Sequence, residues 1–324
     1  MIEIKRYDAT RDRDRWDELV GRSSQGTLLH YRAYMDYHSD RFADCSLMAL
    51  ESDRPVALLP ACLIDGELFS HAGLTYGGWL SDPRHVTGNT MLDIIEAMCR
   101  WMEAEGINAL HYKAVPHIYH RVPAQDDLYA LWRRGATVEA MNLSAAVDVR
   151  AGEQPPFNRG SVSSVHHARR AGVTVNRCDD WAAFWQMLNE LLDERYNARP
   201  VHSLDEITRL ASAFPHHIAL LTATAPDGEM LGGTVLYLSP TVAHCQYIAS
   251  TERGRQLRVL PLVMSEAYNM ARSRGCRYLD YGTSNERGGT VLNASLLDQK
   301  ARLGGRGVAY TTYRLNLKAS TRPS

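Results

Sequence analysis

Polar side chains are concentrated between residues 277 and 300, where a short apolar segment ends. The segment RYLDY (277–281) runs directly into GTSNE, and a helix-like segment carrying Asn293 and Lys300 follows. In open α/β sheets, ligands bind beyond the carboxyl ends of strands. Carboxylates, amides and a lysine at such an end are suited to proton transfer and hydrogen bonding. The segment therefore predicts a ligand site, although an ordinary strand-to-helix loop has a similar composition.

Three side chains of this region are candidates for catalysis by proton transfer. Glu286 lies just beyond the strand and is the preferred general base. Asp280 lies near the end of a strand that we expect to be buried, where a carboxylate needs a partner. His244, on the predicted strand 242–250, is a second candidate base, because histidine is the side chain most suited to proton transfer near neutral pH. Purely structural roles remain open for Asp280 and His244.

A second set of polar side chains is predicted to bind an acceptor molecule. It comprises Gln246, Ser284, Asn285, Asn293 and Lys300 near the strand end, Arg195 and His202 between two predicted helices, and Lys113, His117 and Tyr119 after a strand of the first half. Each group has an alternative. Lys300 can lie on a solvated helix face, Arg195 and His202 can belong to a charged loop, and residues 113–119 can simply close a domain face.

The bulk composition is that of a globular protein without a strong charge bias. The chain has 324 residues, 45% of them hydrophobic, and a net charge of −1. This length suits two domains of about 150 residues each. The near-zero charge gives no global basic field, so DNA is not an expected partner. Adjacent His166 and His167 point apart and lack spaced partners, so we predict no metal site.

The N-terminal segment of the chain is expected to be neither a signal peptide nor a membrane span. Its charged, amphipathic N-terminus lacks the apolar core of a signal peptide, and no segment reaches the ~18 apolar residues of a spanning helix. The six cysteines are scattered without CxxC spacing and lie mostly in apolar contexts. Buried free thiols are therefore expected rather than disulfides or zinc ligands. These features favour a cytoplasmic protein.

The second half has a regular order of elements. Strands are predicted near 172–175, 218–224, 232–238, 242–250, 277–281 and 308–315, and helices near 181–192, 203–214, 257–271 and 291–303. Pro226-Asp227-Gly228 predicts a hairpin turn, and Ser203 with Glu206 forms a capping-box pattern.

The first half repeats this order more faintly. Strands are predicted near 2–7, 45–50, 55–64, 108–113 and 136–147, an extended stretch near 73–80, and helices near 12–21, 31–38, 91–105 and 127–134. The repetition predicts two units of similar architecture, 1–150 and 151–324. The predicted fold class is α/β with mixed sheets.

This order resembles the GNAT acyltransferase fold, and two such units in tandem resemble the Fem family and its acyltransferase relatives. The resemblance rests on QYIAS (246–250), ERGRQL (252–257) and YLDYGTSNERGGTVLNASLLDQKARLGG (278–305), with HAGLTYGGW (71–79) and YKAVPHIYH (112–120) in the first half. The RR-AG-V run at 169–173 is similar to the basic segment that opens the second unit in this family. The resemblance implies transfer of an acyl or aminoacyl group to an amine, with the site in the second unit.

The segment that corresponds to the GNAT donor loop departs from the family pattern. GNAT members read Q/R-x-x-G-x-G/A, so that backbone amides approach a pyrophosphate. Here Arg253, Gly254, Arg255 and Gln256 are the implied donor-binding residues, and Arg258 stands where a small residue is expected. The single glycine puts standard CoA docking in doubt, although both arginines before Gln256 can meet phosphate oxygens.

Three functional hypotheses follow from this resemblance. The first is an N-acyltransferase that uses acyl-CoA and a small amine such as an amino sugar or amino acid. The second is a Fem-type transferase that uses aminoacyl-tRNA and so has tRNA as a partner. Against this second hypothesis, the sequence has no long basic helical insertion and no net positive charge with which to bind tRNA. The third is a non-catalytic binding or scaffold protein on a degenerate GNAT fold.

Overall fold

A computed structural model describes residues 1–317, except for the side chains of residues 195 and 196. This part of the chain forms two compact units. Unit 1 comprises residues 1–142, 287–291 and 309 onward, and unit 2 comprises residues 143–286 and 292–308. The units differ from the expected division after residue 150, because two strand segments pair with strands from the other half of the sequence. Residues 144–148 pair with strand 278–283, and residues 312–316 pair with strand 109–113.

Unit 1 begins with short strands and helices and then has one long helix. Its elements are β1 (Ile2–Arg6), α1 (Arg13–Arg22), α2 (Arg32–Met35), β2 (Ala43–Asp44), β3 (Leu47–Glu51), β4 (Arg54–Leu59), β5 (Cys62–Ile64), β6 (Glu67–Phe69), β7 (Leu80–Ser81), α3 (Gly88–Ala104), β8 (Ala109–Lys113), α4 (Asp126–Arg133) and β9 (Thr137–Asp148), which continues into unit 2.

Two sheets form the framework of unit 1. One has the strand order β1-β3-β4-β7 and is antiparallel throughout. In the other, β2, β5, β6 and β8 are neighbours in that order, and β6 and β8 run parallel. The apolar face of α3 contributes Ile94, Ile95 and Met98 to a core that includes the fully buried Trp79. The apolar spacing of α3 thus explains the helix predicted there.

Unit 2 contains the elements that carry most of the predicted site residues. They are α5 (Arg159–Arg170), β10 (Thr174–Cys178), α6 (Trp181–Tyr196), α7 (Leu204–Ala213), β11 (Ile218–Thr224), β12 (Met230–Leu238), β13 (Val242–Ser250), α8 (Glu252–Gln256), α9 (Val259–Ser273), β14 (Tyr278–Thr283), β15 (Asn285–Glu286), β16 (Val291–Leu292), α10 (Ala294–Arg302) and β17 (Arg306–Asn316), whose last part belongs to unit 1.

The sheet of unit 2 has the strand order β10-β11-β12-β13-β14-β9. All neighbours are antiparallel except β13 and β14, which are parallel. Helix α9 buries Leu262, Val263, Ala267 and Ala271 in the core of this unit. A single parallel pair inside an otherwise antiparallel sheet places the carboxyl ends of two adjacent strands together, which is where a crevice can form.

Local signals account for several predicted boundaries. Ser203 accepts a hydrogen bond from the Glu206 amide (3.2 Å), and the Glu206 carboxylate accepts one from the Ser203 amide (2.7 Å). This reciprocal capping starts α7 as predicted. Gly228, at the turn between β11 and β12, has φ +90°, which only glycine adopts readily.

Two parts of the chain differ from the prediction. The stretch 73–80 is mostly irregular, and only Leu80–Ser81 forms a strand, because Gly78 has φ +75° and interrupts the extended backbone. Helix α5 was not predicted. It buries only Ser161, Val165 and Ala168, which have helical spacing but are small or polar, so the apolar signal is weak.

Candidate active site

The parallel pairing of β13 and β14 ends early, and this opens the centre of the unit 2 sheet. The register is Val242 with Tyr278, Ala243 with Leu279 and His244 with Asp280, and it does not continue beyond. The β12–β13 pairing also shifts by one residue just after His244, between the partners Cys245 and Tyr247. Strands that separate at the same level as a bulge leave a gap at their carboxyl ends. His244 and Asp280 therefore mark the edge of a crevice.

His244 and Asp280 form a hydrogen-bonded pair at this edge. The Nδ1 atom of His244 lies 3.0 Å from Asp280 Oδ2, and the Asp280 side chain is fully buried. Its other oxygen, Oδ1, accepts hydrogen bonds from Ser144 Oγ and from the Gly282 amide (3.0 Å). An ionised carboxylate satisfies all three donors. The network thereby assigns the proton to Nδ1 of His244 and leaves Nε2 able to accept one.

Gly282 lies between this pair and Lys300. It has φ +78°, and a Cβ atom added to it would lie 3.6 Å from His244 Cε1. Its carbonyl oxygen accepts a hydrogen bond from Lys300 Nζ (2.8 Å), which also donates to the Thr283 carbonyl oxygen (2.7 Å). The Lys300 ammonium and the His244 ring are thus held on either side of one residue.

Lys300 is buried, with 6% of its surface exposed. It therefore does not lie on a solvated helix face, which was the alternative considered from the sequence. Burial lowers the pKa of its ammonium to about 8, and the nearby Asp280 carboxylate opposes this shift. The side chain therefore remains largely cationic at neutral pH while being less strongly hydrated than a surface lysine.

A cavity of about 220 Å³ lies beside Lys300 within unit 2. Its walls come from β13, α8, α9, β14, α10 and α6, and they are mainly apolar. The lining residues are Leu191, Ile248, Ala249, Ser250, Arg255, Leu260, Met264, Tyr281, Leu296, Gln299, Lys300 and Leu303. Apolar walls with a few polar groups are typical of a small-molecule site.

The predicted donor segment forms α8 and the start of α9. The Thr251 side chain accepts a hydrogen bond from the Gly254 amide (3.0 Å), and a Cβ atom on Gly254 would lie 1.9 Å from the Leu231 carbonyl oxygen. Gly254 is therefore required by packing. Arg258 precedes α9 with φ +55°, a conformation that costs a non-glycine residue energy.

The two arginines of this segment have different surroundings. Arg253 donates to the carboxylates of Asp227 (2.7 Å) and Glu229, which compensate its charge. Arg255 donates to the Ser250 carbonyl oxygen (3.1 Å) and pairs with Glu252, which is also 3.4 Å from the Gln256 side chain. Arg255 lines the cavity, whereas Arg253 does not.

Most of the predicted polar residues after β14 have local structural partners. Asn285 Oδ1 accepts a hydrogen bond from the Leu143 amide (2.6 Å). Asn293 Oδ1 caps α10 through the Leu296 amide (2.9 Å), and its Nδ2 donates to Glu286 Oε1 (2.8 Å). Glu286 itself is exposed.

Ser284 differs from these residues. It is 1% exposed, and its hydroxyl has no hydrogen-bond partner within the described residues. Its backbone is fixed, since the amide donates to the Leu143 carbonyl oxygen (2.9 Å).

His202 lies inside unit 2 and not in an exposed loop. It is 3% exposed, and its Nδ1 is 2.6 Å from the Tyr247 hydroxyl. The register shift in β13 places Gln246 between the paired residues Cys245 and Tyr247, so the simple alternation that predicted Gln246 and His244 on one face is interrupted. The side chain of Arg195 lies outside the described part of the chain.

The residues predicted in the first half belong to unit 1. Lys113 Nζ donates to the carbonyl oxygens of Ala72 and Leu74, each at 3.0 Å. Tyr119 is buried, and its hydroxyl is 2.9 Å from that of Tyr310. His117 is exposed in a short 3₁₀ helix. Lys113 and Tyr119 are thus engaged by internal contacts.

Unit 1 also contains a counterpart of the His244–Asp280 pair with different chemistry. Its parallel strands β6 and β8 place Phe69 opposite His111, and the two rings stack at 4.1 Å. Both nitrogens of His111 face carboxylates, Glu67 at 2.6 Å and Glu139 at 2.8 Å. An imidazole with both nitrogens engaged cannot accept a proton from a substrate.

Two kinds of feature are absent from the described residues. They contain no cluster of three or more histidine, cysteine, aspartate or glutamate side chains that could hold a metal ion. Within the same part of the chain, no helix has the length and apolar character needed to cross a membrane.

Comparisons with known proteins relate the chain to the GNAT fold. Residues 161–287 match the acetyltransferase (GNAT) domain family. The structure of FemX is similar over 97% of both chains, with a TM-score of 0.70 and 12% identity. A tandem GNAT protein from the clavulanic acid biosynthesis pathway is similar over 99% of this chain and 100% of its own, with a TM-score of 0.53 and 13% identity.

A third similar structure is the C-terminal domain of a putative lysylphosphatidylglycerol synthetase from Agrobacterium fabrum. It covers 95% of this chain and 93% of that domain, with a TM-score of 0.62 and 12% identity. No functionally curated protein matches the sequence. The chain thus has the predicted mixed α/β fold of tandem GNAT and Fem-like proteins, and its residues 161–287 carry an acetyltransferase (GNAT) domain.

Proposed function

We propose that the protein transfers an acyl group from acyl-CoA to a small amine, such as an amino sugar or amino acid, in the crevice of unit 2. One observation carries this proposal. A buried cation next to an apolar cavity and a histidine–carboxylate pair flank the same residue, Gly282. Amide formation needs both groups, one for the acyl carbonyl and one for the proton of the amine.

The cavity is the proposed position of the donor arm and its thioester. It extends between Arg255 of the predicted donor segment and Lys300. Arg255 can contact a phosphate of the donor after exchanging its bond with Glu252. Apolar walls such as Leu260 and Leu296 suit the alkyl parts of the arm. In this proposal the reactive carbonyl lies near Lys300, which lines the cavity and donates to the Gly282 carbonyl oxygen.

Lys300 is proposed to stabilise the oxyanion that forms on the donor carbonyl. Its two described hydrogen bonds use two of the three N–H groups of the ammonium. The third can then reach a ligand in the cavity. A charged donor in a water-poor site stabilises a developing negative charge more strongly than a donor in water.

His244 is proposed to accept the proton of the attacking amine. The nitrogen lone pair forms a bond to the thioester carbon, the C–S bond breaks, and the proton moves from the amine to Nε2 of His244. The imidazolium then gives this proton to the thiolate, which leaves as free CoA, and His244 returns to its neutral form. Asp280 stabilises the imidazolium through its 3.0 Å contact with Nδ1. Glu286 and His244 were both predicted as bases, and the location of His244 beside Gly282 favours His244.

Direct attack is favoured over a covalent acyl-enzyme. Cys245 is the cysteine next to His244 in the chain, but burial raises the pKa of its thiol to about 12. A thiol in this state is a poor nucleophile at neutral pH. The amine therefore attacks the donor itself.

A thermal-shift series with CoA, acetyl-CoA and longer acyl-CoAs tests the donor. A ligand at 100 times its Kd stabilises the folded state by about 2.7 kcal/mol. We expect the midpoint to rise with acyl-CoA, and the rise to shrink in Lys300→Met and Arg255→Gln. Arg274→Gln removes an exposed arginine at the end of α9 and serves as the matched control. No shift with any CoA derivative would refute acyl-CoA as donor.

Aminoacyl-tRNA is the alternative donor. The single glycine of the donor segment and the left-handed backbone at Arg258 both weaken the case for CoA phosphates. This alternative predicts that the protein protects an aminoacyl-tRNA ester from hydrolysis. Protection without any CoA-dependent shift would favour it. If neither donor is bound, the non-catalytic alternative gains support.

A further inference from the structure

Asp280 depends on a residue of another strand for its orientation. Ser144 on β9 is fully buried, and its Oγ donates a hydrogen bond to Asp280 Oδ1. It is a polar side chain in an otherwise apolar strand end, between Leu143 and Ala145. A buried hydroxyl with no functional task is costly relative to alanine unless its hydrogen bond stabilises something specific.

An irregularity in β14 brings the two side chains together. Asp280 is opposite Ala146, whereas Thr283 is opposite Ser144, so three steps along β14 correspond to two along β9. Gly282 lies inside this bulge with φ +78°, and its amide donates to the same Asp280 oxygen as Ser144. Bulges commonly redirect side chains next to active sites.

We propose that Ser144 is a positioning residue for proton transfer, holding Asp280 so that His244 keeps its proton on Nδ1 and Nε2 remains the acceptor. This inference rests on the proposed function, in which His244 is the base. Ser144 does not contact the substrate. It acts by fixing one carboxylate oxygen while the other faces His244.

Several charged or titratable groups lie around the pair and must be kept constant in a test. Lys300 on α10 is electrostatically coupled to Asp280, and so is the Cys245 thiol on β13. Tyr237 on β12 is paired in register with His244. A substitution at Ser144 leaves all three in place, so a change at His244 reports on the Ser144–Asp280 hydrogen bond.

Histidine-selective ¹⁵N and ¹³C NMR of the full-length protein provides a test that needs no substrate. His244→Gln assigns the His244 signals by difference. In the wild type we expect the Nδ1–H tautomer. In Ser144→Ala the Asp280 carboxylate loses a donor and attracts the imidazolium more strongly, so the titration midpoint of His244 should rise by about half a pH unit.

Three further variants make the result specific. Ser144→Thr retains a hydroxyl and should restore the wild-type midpoint. Ser144→Cys has a weak donor of similar size, so its midpoint should lie between those of the wild type and Ser144→Ala. Ser265→Ala removes another buried hydroxyl, on α9, and should leave His244 unchanged. If Ser144→Ala does not fold, Ser144→Cys carries the test alone.

An unchanged midpoint and tautomer in folded Ser144→Ala and Ser144→Cys would overturn the inference. If the protein turns over acyl-CoA, the midpoint of the acid limb of the pH–rate profile should also rise in Ser144→Ala. The KM for the donor should stay constant. If no acyl-CoA binds, the donor proposal fails, but the NMR result still decides the role of Ser144.

Discussion

Lys300 Nζ lies 2.8 Å from the carbonyl oxygen of Gly282. The Lys300 side chain is buried, which is rare for lysine in globular proteins. The amide of the same glycine donates to Asp280 over 3.0 Å. One residue therefore connects the cation beside the cavity with the carboxylate that holds His244. A substitution at Lys300 should weaken stabilisation of the oxyanion on the donor carbonyl. A substitution at His244 should slow removal of the proton from the amine.

The protonation of Lys300 should limit activity at high pH. Burial lowers the pKa of its ammonium to about 8, so the cation is present below this pH and is lost above it. We expect kcat/KM to fall with a midpoint near pH 8. Lys300→Met should lower kcat/KM by about 10²-fold, as for loss of an oxyanion donor, and abolish this limb.

Lys300→Arg is the matched control because it keeps the charge. Arginine stays protonated in proteins, so the alkaline limb should move above the accessible range even if activity is partly lost. An unchanged midpoint near pH 8 in this variant would assign the limb to another group.

The identity of the general base can be decided by two isosteric substitutions. His244→Gln should lower kcat by about 10²- to 10⁴-fold without weakening donor binding, because general-base catalysis has this magnitude. Glu286→Gln retains an oxygen that can accept from Asn293, and the side chain is exposed. We expect its melting temperature to be nearly unchanged and its turnover to fall less than about threefold. Steady-state kinetics and thermal melts measure both effects.

His111→Gln controls for the loss of a carboxylate-paired histidine, since it changes the counterpart position in unit 1. It should alter stability without altering turnover per folded molecule. A hundredfold loss in Glu286→Gln, with a small loss in His244→Gln, would reverse the assignment of the base.

Acid should destabilise the protein through buried histidines of unit 1. Burial lowers the pKa of His71 to about 3, and the neighbouring His38 adds to this shift. Its ordinary value is 6.5, so the unfolded chain binds the proton first as pH falls. The stabilisation is fully present above pH 6.5 and is lost towards pH 3, by up to about 1.4 kcal/mol per pH unit.

Urea unfolding between pH 7.5 and 4 measures this slope. His71 has φ +56°, which asparagine tolerates, so His71→Asn is the appropriate variant. It should reduce the pH dependence of the free energy of unfolding. His216→Asn changes an exposed histidine and should leave the slope as it is. Equal slopes in the wild type and His71→Asn would contradict the prediction.

The sequence predicted most of the unit 2 fold because its strands alternate and its turns carry specific residues. The hairpin at Pro226-Asp227-Gly228 and the cap at Ser203 are local signals, and they were correct. Helix α5 was missed because its serine-rich sequence buries few apolar residues. A usable local signal was Asn158, whose side chain caps the helix by accepting a hydrogen bond from the Ser161 amide (2.8 Å).

The site was harder to predict than the fold. Asp280 and His244 were named, but their pairing depends on strand register, which a sequence without homologues does not fix. Ser144 was missed, although a serine among apolar strand residues is a usable signal. The burial of Lys300 could not be decided either, because its helix has one face on the cavity and another in solvent.

Gly282 provides a test of whether the space beside His244 is needed for the reaction. Gly282→Ala must adopt φ +78° and would add a methyl group 3.6 Å from His244 Cε1. The left-handed backbone should cost about 1–2 kcal/mol. The methyl group should also obstruct the approach of an amine to Nε2, and we expect kcat/KM to fall about tenfold or more.

Gly288→Ala separates the two effects. Gly288 has φ +65°, and a Cβ atom there would meet no atom within 4 Å, so the substitution has the backbone cost alone. Thermal melts should show similar losses of stability for both variants, whereas only Gly282→Ala should lose activity. Equal activities in the two variants would mean that the amine does not pass beside His244, and the proposed base would then have to be sought elsewhere in the crevice.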